Sequence, residues 1–365
     1  MTRFPLFTPP SRRALTGLLV TAAVIAIGCP FVAQARHHAG NILIADQFNN
    51  RVIEVDPVTH RVVWQFGNGS DVPGPHSVVG TNDAERFGSL TLISGTGIPP
   101  GLPGCSNISN GCPDNRVFIV NHGGTIIWQY GQAGVTGSGP DQLNTPVQSL
   151  FLVDFPGHPG PHVLITDQGN QRIILVDLAK RIEWQYGTTG VSGSGPNQLN
   201  SPNSAEVLDN GDVLIADENN NRVLEITVAG RLVQTFTAHG TLSGAAFASR
   251  LPDGDTLITD SNNNRIVEVD GSDNVVWQYF TNTSPGSNPT PLPTRAVRLR
   301  DGDTLISDQF NDRVFEIARS GRIVFQQGTI NQPGSGYDQL NGPYDAKEIG
   351  DFTGLTRPFG FEEPR

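Results

Sequence analysis

"DVLIADENNNRVLEI", residues 212–226, runs as an apolar stretch, an Asp, an Asn-rich break, an Arg and a second apolar stretch. The same order returns in "NILIADQFNNRVIEV" (41–55), "DTLITDSNNNRIVEV" (255–269) and "DTLISDQFNDRVFEI" (303–317). Val, Ile and Leu crowd both apolar stretches, and Asn tolerates left-handed backbone, so each unit reads as strand, tight break, strand. Reading outward, "NSAEVLDNG" (203–211) leads into a hairpin signal and "RLVQTF" (231–236) follows after a short turn. The full unit is a meander of four strands, called a to d.

The unit recurs at about fifty-residue spacing, a period typical of propellers and solenoids. Six b–c pairs are present, at 41–56, 90–121 (interrupted), 162–177, 212–227, 255–270 and 303–318. After an N-terminal apolar segment the chain enters directly at a strand b, while "GPYDAKEIGD" (342–351) is a surplus strand a that parallels "SPNSAEVLDN" (201–210). Only a ring has a use for that phase shift, because closure pairs the last strand with the first. An all-β fold follows: a six-bladed β-propeller of four-stranded antiparallel blades, whose closing blade joins a C-terminal strand a to N-terminal strands b–d. Trp64, Trp128, Trp184 and Trp277 all fall at one position of strand d, with Phe325 there in blade 6. Outer strands diverge, so the largest side chains belong in that widening gap.

Composition agrees with this class: 42 Gly and 27 Pro among 365 residues, with 7% aromatic. Residues 1–35 are different in kind. Arg3, Arg12 and Arg13 precede an apolar run that ends in "AQA", which reads as an export signal cleaved after Ala35 by the Sec or twin-arginine route, for a periplasmic or extracellular destination. An uncleaved anchor and a lipid on Cys29 are the two alternatives, and the flanking Ala26, Ile27, Gly28 and Pro30 fit the lipid poorly. The chain then divides into a propeller at 36–351 and a tail at 352–365. Cleavage removes three Arg of the 24 Lys+Arg and no acid, leaving 21 against 35 Asp+Glu. So acidic a surface disfavours nucleic acid and anionic membrane as partners. A monomer is expected. Cys105 and Cys112 lie in a Gly/Pro-rich insertion at 96–115 and read as a disulfide in an exported chain.

The d–a loops "GQAGVTGSGPDQLNTP" (131–146), "GTTGVSGSGPNQLNSP" (187–202) and "GTINQPGSGYDQLNGP" (328–343), each followed by a short strand and then by wording like "LIAD…NNRV", resemble the NHL repeat. The resemblance covers residues 40–351 and implies a six-bladed propeller. The units are also similar to repeats of arylsulfotransferase-like propellers. NHL-type proteins include binding domains, sensor ectodomains and a metal-dependent lyase, so the resemblance implies no single activity.

The spacing D-x4-R is kept as Asp46/Arg51, Asp167/Arg172, Asp217/Arg222, Asp260/Arg265 and Asp308/Arg313; blade 2 has Arg116 but Gly95 at the Asp position. Groups repeated blade after blade are bricks, so these are expected to be structural ion pairs. Calcium held by the Asp/Asn breaks is the competing reading, against which no loop carries a D-x-D-x-D spacing. No other cofactor is expected.

What differs between blades is the start of strand a: His76-Ser77, Val147-Gln148, Asn203-Ser204, Ala246-Phe247, Thr294-Arg295 and Tyr344-Asp345. Placed around the channel mouth on the top face, beside the bridged insertion, His76, Gln148, Asn203, Arg295, Tyr344 and Asp345 are candidates to bind a small polar or anionic ligand. Ordinary channel polarity is the bland alternative. A transferase or lyase would use His76 or His239 as nucleophile or base and Arg295 to hold anionic oxygens. His122, His158 and His162 are assigned to turns on the underside. No nucleophile elbow, phosphate loop or H-E-x-x-H motif is present. A binding or sensor module is the reading these residues favour.

Overall fold

A computed structural model describes residues 40–358; the expected export signal at 1–35 and the end of the tail lie outside the described residues. Six sheets of four antiparallel strands make six blades. Each strand a contacts strand a of the next blade, all the way round. Blade 1 is the closing blade: strand a (Pro343–Glu348) pairs with strand b (Ile42–Asp46), which leads to c (Arg51–Asp56) and d (Arg61–Phe66). The ring therefore closes with one strand from the C-terminal end and three from the N-terminal end, as the repeat phase requires.

The Asp-Asn-Arg break is a one-turn 3₁₀ element followed by a left-handed residue. In blade 1, Asp46 accepts from Asn49 Nδ2 (2.7 Å), Arg51 Nε (2.7 Å) and the Asn341 N–H (2.8 Å). Three further blades repeat all three bonds, with ion pairs Asp167–Arg172 (2.8 Å), Asp217–Arg222 (2.7 Å) and Asp260–Arg265 (2.6 Å). Asp308 makes the Asn311 and Arg313 bonds, both at 2.8 Å.

The pairs are not confined to their own blades. The guanidinium of each Arg also reaches a carbonyl in the preceding d–a loop. Arg172 donates to Ser138 (3.4 Å), Arg222 to Ser194 (3.0 Å) and Arg265 to Thr241 (3.4 Å). The left-handed residue ties the ring in the other direction, because its side chain accepts a backbone N–H of the next blade. Asn50 takes Gly80, Asn115 takes Thr145, Gln171 takes Ser201, Asn221 takes Gly244, Asn264 takes Leu292, and Asp312 takes Gly342 across the closure. The break thus folds its own blade and staples the following one.

Blade 2 corrects the expectation built on Gly95. Asp114, on strand c (Cys112–Asn121), supplies the missing carboxylate: it pairs with Arg116 and accepts the Val79 N–H at 2.7 Å. A Cβ on Gly95 would stand 2.7 Å from the Asp114 carboxyl carbon, so Gly is required there. The insertion is also narrower than 96–115, because Gly97 pairs with Pro113 and Ile98 with Cys112, leaving 99–111 as loop. The Cys105–Cys112 disulfide is formed, with Cα atoms 5.7 Å apart.

At the periphery each Trp docks on its neighbour. The indoles of Trp64, Trp128, Trp184 and Trp277 donate to the carbonyls of His122, Leu178, Val228 and Arg319, all in c–d turns of the next blade, at 2.8–3.3 Å. Closer to the axis, a Glu on strand c faces an Arg on the next strand a: Glu54–Arg86 (3.0 Å), Glu225–Arg250 (2.7 Å) and Glu268–Arg298 (2.8 Å). Blades 2–3 and 3–4 place Ile119 with Phe151 and Leu175 with Val207 at these positions.

The closing interface alone sets acid against acid, Glu316 and Glu348. Burial, with Asp301, Asp303 and Glu348 adding to it, pushes Glu316 up to about 7, above the ordinary 4.5. The folded chain therefore holds a proton there that the unfolded chain releases, and this contribution to stability, complete below pH 4.5, is lost as pH rises through about 7. Glu348→Arg recreates the pair found at three of the other interfaces and is expected to stabilise by about 1 kcal/mol at pH 8, and by less at pH 5. Urea titrations at the two pH values check this; an unchanged midpoint at pH 8 would count against it.

Candidate functional site

The channel is built from the six a strands, and each carries a bulge or register shift at its second residue. A bulge re-aims side chains, so the second and third residues both reach the axis instead of alternating faces. The second residues reach it at the mouth. Asn203 Nδ2 donates to Tyr344 Oη at 2.9 Å, which spans opposite blades 4 and 1, and also to Glu218 Oε2 at 2.7 Å. Gln309 Nε2 donates to Gln47 Oε1 (2.6 Å), and Gln47 Nε2 to Asn82 Oδ1 (2.7 Å). Burial, reinforced by Glu218, holds the Tyr344 hydroxyl above its usual pKa, so it remains a neutral donor.

Below the mouth lies a buried ion cluster. Lys347 Nζ meets Asp83 Oδ1 (2.6 Å), Asp345 Oδ2 (2.6 Å) and the Ala84 carbonyl (3.0 Å), so all three of its protons are used. Arg295 lies 2.6 Å from Asp345 and 3.1 Å from Asp83, with its guanidinium 4.2 Å over Phe247. Burial opposes the Lys347 charge, but Asp345 and Asp83 outweigh it and raise its pKa. Burial also opposes ionisation of Asp345, yet Arg295 and Lys347 hold its pKa below the ordinary value; for Asp83 burial wins and the pKa rises. Deeper, burial pushes Glu85 up to about 8 although it accepts the Phe151 N–H. Gln148 bonds Glu206 (2.8 Å) and the Ala205 N–H (2.6 Å).

Of the residues singled out in the sequence, the fold brings Arg295 to Asp345 and Asn203 to Tyr344, and places Gln148 in a third pair. His76 requires a correction. Strand a of blade 2 is Thr81–Phe87, so the equivalent positions are Asn82 and Asp83, while His76 is exposed in the preceding loop. The loop's own Gly74-Pro75 imitates the Pro that opens four of the other a strands, and the true positions lie six residues further on. His239 bonds Asn274 in a c–d turn of blade 5, at the outer edge of the ring (3.0 Å). His158 and His162 belong to a long hairpin of blade 3 and face Glu183, His162 at 2.9 Å. Sequence reasoning missed Asp83, Glu85, Lys347 and Glu206, although acids and a Lys on alternate positions of apolar strands were a visible signal. It also missed Gln47, Glu218 and Gln309, each standing directly after a repeated Asp.

Over the mouth, the top face is lopsided. The bridged loop folds onto Phe48: the Gly104 carbonyl accepts Asn50 Nδ2 (2.7 Å), and Leu102 packs with Phe48, Val79, Ile98 and Phe310. Gly104, at φ +79°, approaches so closely that a Cβ would lie 2.3 Å from the Phe48 carbonyl oxygen. The Asp carboxylates of the breaks are committed to Asn, Arg and backbone donors. Two groups of three carboxylates lie elsewhere, on the underside: Asp253, Asp255 and Glu268, and Asp301, Asp303 and Glu316. Among the described residues no helix is long and apolar enough to cross a membrane.

These features define a closed six-bladed propeller with a polar mouth and a charged, side-chain-filled channel. Among solved structures the chain is similar to a protein of unknown function from Bacteroides caccae, at TM-score 0.51 and 14% identity, covering 79% of this chain and 93% of that one. It is also similar in outline to a streptogramin B lyase (TM-score 0.49, 14% identity, 78% of each chain) and to virginiamycin B lyase from Staphylococcus aureus (0.46, 14% identity, 79% and 84%). At such identity the likeness concerns the fold alone. No family model matches the chain, and no curated protein does.

Proposed function

We propose that this chain is an exported, NHL-like binding module whose recognition surface is the top face around the channel mouth. The observation that carries this is the contrast between repeated and unrepeated residues. Asp, Asn and Arg recur to build blades, while the second residue of strand a changes around the ring (Tyr344, Asn82, Val147, Asn203, Ala246 and Thr294), beside Gln47, Gln168 and Gln309 after the repeated Asp. Carboxamides and a neutral phenol, with Glu218 as the one carboxyl beside Asn203, match a small, uncharged, hydrogen-bonding ligand such as a polyhydroxylated molecule. The disulfide suits an oxidising compartment.

The transferase or lyase reading needs imidazoles that converge with Arg295, and His76 and His239 stand outside the channel. A thermal-shift panel of mono- and oligosaccharides is expected to yield a stabilising ligand, with the shift abolished in Glu218→Ala and kept in His76→Ala. A ligand whose shift survives Glu218→Ala, or turnover that His76→Ala removes, would reject the proposal.

A further inference from the structure

The underside carries a separate recess. Past the closing strand, residues 351–357 run beneath blades 6, 5 and 4 in turn. Asp351 Oδ2 accepts the Arg300 N–H at 2.7 Å, and a Cβ on Gly354 would lie 3.0 Å from the Arg250 carbonyl oxygen. Thr356 then docks on blade 4, donating its hydroxyl to Glu206 Oε2 (2.5 Å) and accepting the Val207 N–H (2.8 Å). Between this strap and the a–b turns of the three blades lies a cleft of about 640 Å³. That volume falls among small-molecule sites, roughly 300–1,000 Å³.

Leu208, Leu251, Phe352 and Leu355 give the cleft apolar walls. Its charged lining is Arg250, Arg300 and Arg357 against Asp209. Arg250 is spent, paired with Glu225 at 2.7 Å. The Arg300 guanidinium has no hydrogen-bond or ion-pair partner among the described residues. On a chain of net charge −11, a recess lined by three guanidinium groups against one carboxylate is an exception. We infer that this cleft binds a small organic anion, with an apolar or aromatic body against Leu251, Phe352 and Leu355 and its carboxylate on Arg300. The planar guanidinium fork matches a carboxylate in two-point contact, and apolar walls reward a body that a bare inorganic ion lacks.

The probe is 2-naphthoate, titrated calorimetrically into the full chain. It is expected to bind with Kd near or below about 1 mM, while 2-naphthylmethylamine gives no heat at about 10 mM. Arg300→Glu, at an exposed position, should weaken naphthoate binding at least about tenfold at an unchanged melting temperature. Thr353→Trp, which fills the cleft from the strap, should weaken it as well, and Glu218→Ala at the distant mouth should leave it intact. Equal affinity for acid and amine, naphthoate binding unaltered by Arg300→Glu, or no binding up to about 10 mM overturns the inference.

Discussion

Lys347→Met is expected to lower the free energy of unfolding by about 3–5 kcal/mol, the range for breaking a buried ion pair from one side. The methionine removes the ammonium and leaves Asp83 and Asp345 with Arg295 as their only cation among the described residues, in a buried channel core. Asp83, whose pKa burial already raises, should then be protonated more readily, so the variant should lose less stability at pH 4 than at pH 8. Adding Asp83→Asn should recover part of the loss, since the double variant no longer buries the excess charge. Urea unfolding of the four proteins gives the cycle. A single variant within about 1 kcal/mol of wild type would mean that the cluster is hydrated and energetically idle. Arg295 and Asp345 belong to the same cluster, so replacing them tests the core before it tests any ligand.

The second large effect concerns closure. A chain ending at Gln339 lacks the strand Pro343–Glu348, and with it Asp345 and Lys347, which join blade 2 to blade 6 across the closing blade. Strand b of blade 1 (Ile42–Asp46) then presents unpaired N–H and C=O groups along its inner edge. Such an edge recruits other strands, so self-association with a strongly lowered melting temperature is expected, seen by light scattering and by thermal unfolding followed by tryptophan fluorescence. A peptide of residues 340–351 added in trans should restore the monomer. A truncated chain that stays monomeric at the wild-type melting temperature would show that the strand contributes nothing to the ring.

The legible and illegible parts of this protein separate by the distance over which a residue acts. The D-x4-R spacing was readable because Asp46 and Arg51 face each other across one tight break. That a guanidinium can also bridge to the neighbouring blade followed from residue type, but which carbonyls Arg172, Arg222 and Arg265 reach did not, since those lie far away in the chain. The role of the left-handed Asn was half readable: its backbone followed from residue type, but the bond of Asn50 to Gly80 did not. Blade 2 shows the limit within a single unit. Gly95 looked like a lost carboxylate, and only the folded hairpin revealed Asp114 reaching the same point from the opposite strand.

The channel was less legible still. Tyr344 and Asp345 were both placed at the channel mouth, but period-two reasoning puts adjacent residues on opposite faces and could not supply the bulge that turns both toward the axis. Nor could it pair Lys347 with Asp83, which are 264 positions apart.

By itself, then, the order of residues determined six blades, the closing strand, the disulfide and the indole positions. Each of these rests on short-range alternation or on a register that repetition copies from blade to blade. Tertiary structure alone decided which polar groups neutralise one another in the channel, which histidines stay outside it, and that the tail straps the underside. Those contacts form where the ring brings remote blades together, and a buried charge takes its partner from whatever closure sets beside it.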